Sequence, residues 1–228
     1  MKNIHKLAAI DIGSNAVRLL ITSIRINKTD TKFKKISLVR VPLRLGEDVF
    51  SKGKISDKKL KKLQKTLKAF KILMQIHEVY MFKAVATSAM REAENSTKII
   101  EDIFKKLSIK IDLISGKKEA LMIANVFLNS TENLANNYLY VDVGGGSTEL
   151  NLISKNKIID TKSFKIGTVR TLNNITKDIS WHNFKNWIEN NSKLYKNIVV
   201  IGSGGNASKI LKISKKNINC LLYTSPSP

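Results

Sequence analysis

The amino-acid sequence predicts an α/β protein made of two domains that share one order of elements. Apolar runs of strand length end at glycines, and amphipathic stretches place apolar residues at the three- and four-residue spacing of a helix. These segments follow the order β-β-β-α-β-α-β-α in the first half of the chain, and the same order begins again in the second half. Because the second half stops before its last strand and helix, we expect an incomplete second domain.

The first domain is predicted over residues 1–131 and opens with three strands. The helix that follows, from Asp57, has apolar residues on one face and lysines on the other, so we expect it to pack on a sheet. Ser96 is a candidate N-cap for the next helix. In chain order the predicted elements are strands 7–12, 17–26 and 35–41, a helix from 57 to 74, strand 79–86, helix 96–107, strand 111–114 and helix 117–128.

The second domain is predicted over residues 132–219, and the polar, asparagine-rich segment 129–137 marks its beginning. Its predicted elements are strands 138–143, 149–153 and 157–164, helix 181–190, strand 197–201 and helix 206–213. Residues 220–228 contain two of the three prolines and end in Pro-Ser-Pro, which fits neither a helix nor a central strand. We expect these residues to be a tail that is either foreign to the domain or a sign that the domain is truncated.

Composition and charge exclude several classes of protein and favour an anionic ligand. With 43% hydrophobic residues, one cysteine and no apolar run of about 18 residues, the sequence argues against fibrous, disulfide-stapled, disordered and membrane-spanning classes, and a cytoplasmic protein is expected. The 40 Lys+Arg against 18 Asp+Glu give a net charge of +22, which attracts polyanions. Solvated lysine faces explain this surplus equally well. Only six of the cations are arginine, which argues against base reading in nucleic acid.

Two glycine turns, each directly after an apolar strand, are candidate phosphate-binding loops. The stronger is Asp142-Val-Gly-Gly-Gly-Ser-Thr-Glu, because three successive glycines cost more conformational entropy than a simple chain reversal requires. Its backbone amides would bind a phosphate, with hydroxyl donors from Ser147 and Thr148. For Asp11-Ile-Gly-Ser-Asn, taken alone, an ordinary turn is the better explanation, although Gly13 would admit an anion and Asp11 would suit a cation. Neither a Walker A loop nor a Rossmann fingerprint is present.

Five motifs, in order, closely resemble those of the exopolyphosphatase/guanosine pentaphosphate phosphatase family. They span roughly residues 7–213 and read Asp11-Ile-Gly-Ser-Asn, Ala86-Thr-Ser-Ala-Met-Arg-Glu-Ala-Glu-Asn, Ser115-Gly-Lys-Lys-Glu-Ala, Asp142-Val-Gly-Gly-Gly-Ser-Thr-Glu and Gly202-Ser-Gly-Gly-Asn. The resemblance implies two ribonuclease-H-like domains of the actin and sugar-kinase superfamily with a central cleft, the second domain being incomplete here. It also implies an active site in that cleft.

The resemblance further implies roles for individual residues. Glu119 would be the general base for the attacking water, and Arg91 would stabilise charge on the phosphoryl group, although each also has an explanation as a surface residue. Lys118 replaces the first of the family's usual pair of glutamates. The implied phosphate-binding residues are Gly13, Ser14, Asn15, Gly144, Gly145, Gly146, Ser147 and Thr148, and the implied Mg²⁺ ligands are Asp142, Glu149 and Asp11.

The function that the resemblance implies is hydrolysis of the terminal phosphoanhydride of inorganic polyphosphate with Mg²⁺. The alternatives are a guanosine pentaphosphate 5′-phosphohydrolase and a non-catalytic protein that binds polyphosphate or alarmone nucleotides. We expect no membrane partner and no nucleic acid, and a homodimer is compatible with the sequence. Because short family members continue beyond the turn at Gly202, we also expect an unpaired sheet edge in the second domain.

Overall fold

The computed structural model describes residues 4–26, 31–130 and 136–214. The chain divides into two compact units, of which the first ends at Ile114 and the second begins at Ser115. The predicted tail at 220–228 lies outside the described residues, as does most of the predicted polar segment between the domains. None of the described helices combines the length and the apolar character needed to cross a bilayer.

The first unit consists of one five-stranded sheet and four helices among the described residues. Its elements are β1 (Ile4–Ile12), β2 (Val17–Ile26), β3 (Thr31–Val41), α1 (Leu45–Lys52), α2 (Asp57–Ile76), β4 (Met81–Ala86), α3 (Ser88–Glu92), α4 (Ser96–Leu107) and β5 (Ile111–Leu113). The sheet order is β3-β2-β1-β4-β5, with β1 to β3 antiparallel and with β4 and β5 parallel to β1. This is a ribonuclease-H-like sheet, and it confirms the α/β prediction.

The core of the first unit lies between this sheet and helix α2. The apolar stripe that the sequence predicts is buried in the structure, including Leu63, Leu67 and Phe70. Burial of each such side chain contributes about 1.5–3 kcal/mol to folding. The Oγ of Ser56 accepts a hydrogen bond of 3.4 Å from the N–H of Lys59, so Ser56 caps the start of the helix.

The second unit consists of one four-stranded sheet and its helices. Its elements are α5 (Gly116–Ser130), β6 (Asn137–Val143), β7 (Thr148–Ser154), β8 (Lys157–Phe164), α6 (Thr168–Leu172), α7 (Asp178–Leu194), β9 (Ile198–Ser203) and α8 (Gly204–Ser214). The order is β8-β7-β6-β9, with β9 parallel to β6. Leu150 and Leu152 of β7 pack with Phe164 and Trp187, and the indole Nε1 of Trp187 donates a hydrogen bond of 2.7 Å to Asp160.

The division between the compact units differs from the predicted boundary at residue 131. Helix α5 packs on β7 and β8 of the second sheet, because its buried Ala124 contacts a cluster that contains Ile153 and Tyr138. The division therefore comes before α5 instead of after it. In the described part of the second unit, β8 and β9 are the edge strands of the sheet.

Candidate functional site

The turn between β1 and β2 is closed by a hydrogen bond of 3.1 Å from the N–H of Gly13 to the carbonyl of Ala16. The carbonyls of Ser14 and Asn15 each accept a bond of 2.8 Å from the start of α1, from Gly46 and Arg44 respectively. Because C=O and the following N–H point in opposite directions across a trans peptide, the amides of Asn15 and Ala16 face away from α1. This turn can therefore present backbone N–H groups to an anion.

The hydroxyl of Ser14 is directed into the protein. Ser14 is 4% exposed, and its Oγ accepts a hydrogen bond of 3.1 Å from the N–H of Ala89 in α3. The side chain thus ties the first turn to the segment that carries Arg91.

The half-buried Arg91 is held at the end of β5. Its Nη1 donates a hydrogen bond of 2.7 Å to the carbonyl of Ile114.

Asp11, at the end of β1, is directly opposite Arg18 in β2, and their side chains form an ion pair of 3.3 Å. The positive charge of Arg18 therefore offsets the negative charge of the Asp11 carboxylate.

Glu119 lies in the first turn of α5, where the positive end of the helix dipole stabilises a carboxylate. Ser115 begins this helix, because its Oγ accepts from the N–H of Lys118 at 3.2 Å and its carbonyl accepts from the N–H of Glu119 at 3.0 Å. The Lys118 side chain is exposed, whereas Glu119 is half-buried. The local structure thus holds Glu119 at a fixed position near the helix start.

The glycine loop after β6 is held by three consecutive donors. The carbonyls of Gly144, Gly145 and Gly146 accept hydrogen bonds from Thr168 N, Val169 N and Arg170 Nε at 3.0, 2.9 and 2.6 Å. By the same trans-peptide geometry, the amides of Gly145, Gly146 and Ser147 point away from α6. Three neighbouring N–H groups on one side of a loop form a concave anion-binding surface.

The hydroxyl of Thr148, directly after this loop, donates within the protein. Ser147 and Thr148 are both buried, and the Oγ1 of Thr148 donates 2.7 Å to the carbonyl of Ile166. Thr148 therefore holds the loop against the segment before α6. Its hydroxyl proton is already engaged there.

A polar row crosses all four strands of the second sheet beside the glycine loop. Asp142 is directly opposite Glu149 on β7, Glu149 is opposite Ser163 on β8, and Asp142 is opposite Ser203 on β9. Side chains that are opposite one another in this way share a face of the sheet. Ser163 Oγ donates to Glu149 at 2.8 Å, and Ser203 Oγ donates to Asp142 at 2.5 Å.

Asp142 and Glu149, the latter 1% exposed, place two carboxylates on one face of the sheet. Mg²⁺ prefers one or two carboxylates together with phosphate oxygens and water. Within the described residues there is no group of three or more His, Cys, Asp or Glu side chains that would hold a metal. Asp11, the third predicted ligand, belongs to the other compact unit and is paired with Arg18.

The turn at 202–206 packs against Asp142 and the end of β6. Asn206 Nδ2 donates 2.7 Å to the carbonyl of Val143, and Gly204 has a φ of 82°. A Cβ on Gly204 would lie 2.9 Å from Oδ1 of Asp142, so the close approach also requires glycine. Burial raises the pKa of the nearby Tyr140 hydroxyl; a hydrogen bond with Ser203 opposes this effect and the negative charge of Asp142 adds to it.

Comparison with known proteins identifies the family of this chain. Residues 25–205 match the sequence profile of the Ppx/GppA phosphatase family. The chain belongs to this family. Three of the five motifs lie within the matched residues, Gly202-Ser-Gly-Gly-Asn overlaps their end, and Asp11-Ile-Gly-Ser-Asn precedes them.

Several curated relatives of this Ppx/GppA chain are longer proteins. It is 31% identical over 232 residues to the bifunctional 3-dehydroquinate synthase/phosphatase of Fusobacterium nucleatum, which covers 94% of the chain and 35% of that protein. It is 25% identical over 175 residues to exopolyphosphatase 2 of Mycobacterium tuberculosis, covering 72% and 53%. The chain thus spans between about a third and a half of the length of these two relatives.

Solved structures of Ppx/GppA proteins have the same fold. An exopolyphosphatase from Cytophaga hutchinsonii superposes with a TM-score of 0.77 at 25% identity, over 94% of this chain and 72% of that one. The Ppx/GppA family member of Aquifex aeolicus gives a TM-score of 0.72 at 26% identity, over 92% and 70%. These likenesses confirm the predicted fold class.

Sequence reasoning missed the residues that hold the Ppx/GppA motifs in place. Arg170, Ser163 and Ser203 contact the glycine loop or the carboxylate pair but are not among the predicted site residues. One signal was present for Arg170, since Lys165-Ile-Gly-Thr-Val-Arg is a glycine turn directly after a strand. Nothing in the spacing indicates that this turn contacts a loop 24 residues earlier.

Proposed function

We propose that the chain hydrolyses the terminal phosphoanhydride bond of inorganic polyphosphate and releases orthophosphate. The observation that carries the proposal is the glycine loop at 144–146, whose carbonyls are all engaged on one side and whose amides face the other. The loop directly follows β6, which carries Asp142 opposite Glu149. The exopolyphosphatases among its relatives and its net charge of +22 also support a polyanionic substrate.

Phosphate binding would depend on backbone amides of the glycine loop in the second unit. The amides of Gly145, Gly146 and Ser147 would bind oxygens of the terminal phosphate. In the first unit, the amides of Asn15 and Ala16 and the Arg91 guanidinium are candidate donors to phosphate oxygens. Because these donors are fixed before the substrate arrives, they would stabilise charge without reorganisation.

Mg²⁺ fits the carboxylate pair, because Asp142 and Glu149 are neighbours on one sheet face and supply hard oxygen donors. When bound, the ion would offset the negative charge of the phosphates and polarise the phosphoryl oxygen. The two serines of the polar row would orient these carboxylates, since each already donates to one of them. Asp11 is a less suitable ligand because it is already paired with Arg18.

In the proposed reaction, water attacks the terminal phosphorus and Glu119 takes its proton. The new P–O bond forms as the anhydride P–O bond breaks, and the shortened polyphosphate leaves with the electron pair of that bond. No covalent intermediate is required. Glu119 would accept this proton in its ionised form, and the first turn of α5 fixes the position of its backbone.

Phosphate release from long-chain polyphosphate and from guanosine pentaphosphate, with and without Mg²⁺, tests this proposal. We expect Mg²⁺-dependent release from polyphosphate, and a loss of about 100-fold or more in Glu119→Gln. The control is Glu101→Gln, which removes the same charge from an exposed position on α4. Faster release from guanosine pentaphosphate would favour that substrate instead. If the wild-type chain binds polyphosphate but releases none, it is a binding protein.

A further inference from the structure

We propose that Arg170 is a positioning residue for the glycine loop at 144–146. This inference rests on the proposed phosphate-binding function of that loop. Arg170 is 6% exposed, and its Nε donates a hydrogen bond of 2.6 Å to the carbonyl of Gly146. Arg170 has no predicted role in the reaction, and its Nε contacts the backbone of the loop.

The need for such a residue follows from the composition of the loop. Glycine has the largest conformational freedom of any residue, so three in succession would sample many orientations of their peptide planes. The bonds from Thr168, Val169 and Arg170 engage three successive carbonyls and thereby fix three successive planes. Fixing the carbonyls also fixes the amides of Gly145, Gly146 and Ser147 on the opposite side.

An arginine suits this position better than a lysine. The guanidinium keeps its charge, is planar and donates in a fixed direction, whereas an ammonium is a rotating point charge. A hydrogen bond from a charged donor is also shorter and stronger than one between neutral groups, which agrees with the 2.6 Å distance. Direction as well as charge therefore distinguishes Arg170 from a general cation.

Gly167 allows the close approach on which these three bonds depend. A Cβ at this position would lie 2.5 Å from the carbonyl oxygen of Gly145 and 2.7 Å from the carbonyl carbon of Gly146. Its φ is −157°, an extended conformation that any residue adopts, so the requirement is for space. The segment Gly167–Arg170 thus acts as one support that contacts the back of the loop.

The test uses the full chain and inorganic phosphate as the probe. We expect Arg170→Lys and Arg170→Gln to bind phosphate about tenfold more weakly than wild type, because a charged hydrogen bond that orders the loop is lost or misdirected. We also expect faster hydrogen exchange of the Gly144 amide, which donates 2.9 Å to the carbonyl of Ser147. Arg40→Lys and Arg40→Gln, at an exposed position on β3, should change neither quantity.

A second variant tests the same support without a change of charge. Thr168 is the first residue of α6 and follows the extended Gly167, so its backbone conformation suits proline. The change replaces the N–H that donates to the carbonyl of Gly144 by a ring Cδ and removes the Oγ1 that lies 3.5 Å from the same oxygen. Thr168→Pro should weaken phosphate binding and speed exchange of the Gly144 amide while the chain stays folded. Asp178→Pro is the matched control, since it is the first residue of α7 and also follows an extended residue.

Each outcome separates this inference from the proposed function. Wild-type phosphate affinity and exchange in folded Arg170→Gln and Thr168→Pro chains would overturn the positioning role. Wild-type phosphate affinity in Arg170→Lys would show that the charge at this position is sufficient, and this result would also overturn the positioning role. If the wild-type chain binds no phosphate, the proposed function fails. Exchange of the Gly144 amide then still decides whether Arg170 orders the loop.

Discussion

Ser203 Oγ donates a hydrogen bond of 2.5 Å to Oδ1 of Asp142, across the neighbouring strands β9 and β6. This contact connects the turn at 202–206 to the carboxylate pair formed by Asp142 and Glu149. Glu149 has an equivalent serine, Ser163, on its other side. Each carboxylate of this pair is therefore oriented by a hydroxyl from the next strand outward.

Replacing Ser203 by alanine should lower the free energy of unfolding by about 1–2 kcal/mol, because a hydrogen bond to a charged, half-buried carboxylate is lost. If Mg²⁺ binds this pair, the variant should also gain less stability from added Mg²⁺. Urea unfolding with and without the ion measures both effects. Ser208→Ala is the control, since Ser208 donates only to the backbone of its own helix. Equal stability of wild type and Ser203→Ala would contradict this role.

Gly204→Ala should destabilise the second unit and displace Asp142. The backbone at Gly204 has a φ of 82°, which costs a residue with a Cβ about 1–2 kcal/mol. The new Cβ would also lie 2.9 Å from Oδ1 of Asp142, so the carboxylate must move. Thermal unfolding should show a lower midpoint than for Gly205→Ala. Glycine 205 is not among the described glycines with positive φ and lies inside α8, where alanine favours the helix.

Ser14→Ala should lower the free energy of unfolding by about 1–3 kcal/mol, because it leaves the buried N–H of Ala89 without its acceptor. Denaturant unfolding measures the change. Ser51→Ala serves as the control, since Ser51 is exposed and donates within helix α1. If phosphate binding requires the Ser14 hydroxyl directly, a folded Ser14→Ala chain would lose affinity beyond its loss of stability. We expect it to keep most of its affinity.

Strands and long helices were predicted well because their patterns are local. Each predicted strand and helix has a counterpart among the described residues. Helices α3 and α6 were missed because five residues are too few to show a helical period. The eight-residue helix α1 was also missed. The start of β3 was missed because residues 31–34 are exposed and lack alternating apolar positions.

The candidate site was predictable where the sequence shows a rare pattern, and only there. Three consecutive glycines indicate a special turn without any knowledge of the fold. The support from Arg170 depends on a contact over 24 residues, and the pairing of α5 with the second sheet depends on packing. Ser14 illustrates the same limit, since nothing in its place in a glycine turn indicates that its Oγ accepts from the N–H of Ala89.

The Asp48 carboxylate links α1 to the start of α2 and makes a prediction for acid stability. Its Oδ2 accepts 3.1 Å from the N–H of Ser56, and its Oδ1 lies 3.1 Å from Lys59 Nζ. Burial acts to raise the pKa of Asp48, but the hydrogen bonds from Ser56 and Lys59 and the charge of Lys59 outweigh it, so the pKa is lowered from 3.8.

Because the folded state holds Asp48 ionised more strongly than the unfolded state does, its contribution is fully present above pH 3.8 and is lost as the pH falls through the lower folded pKa. Asp48→Asn should therefore be less stable than wild type at pH 7, and the difference should shrink as the pH falls below 3.8. Urea unfolding midpoints of both chains, measured at about ten pH values between 2.5 and 7, give this stability difference. Glu101→Gln, an exposed carboxylate on α4, should show no such convergence. A stability difference that stays constant over this range would show that the charge of Asp48 does not stabilise the fold, and it would contradict this prediction.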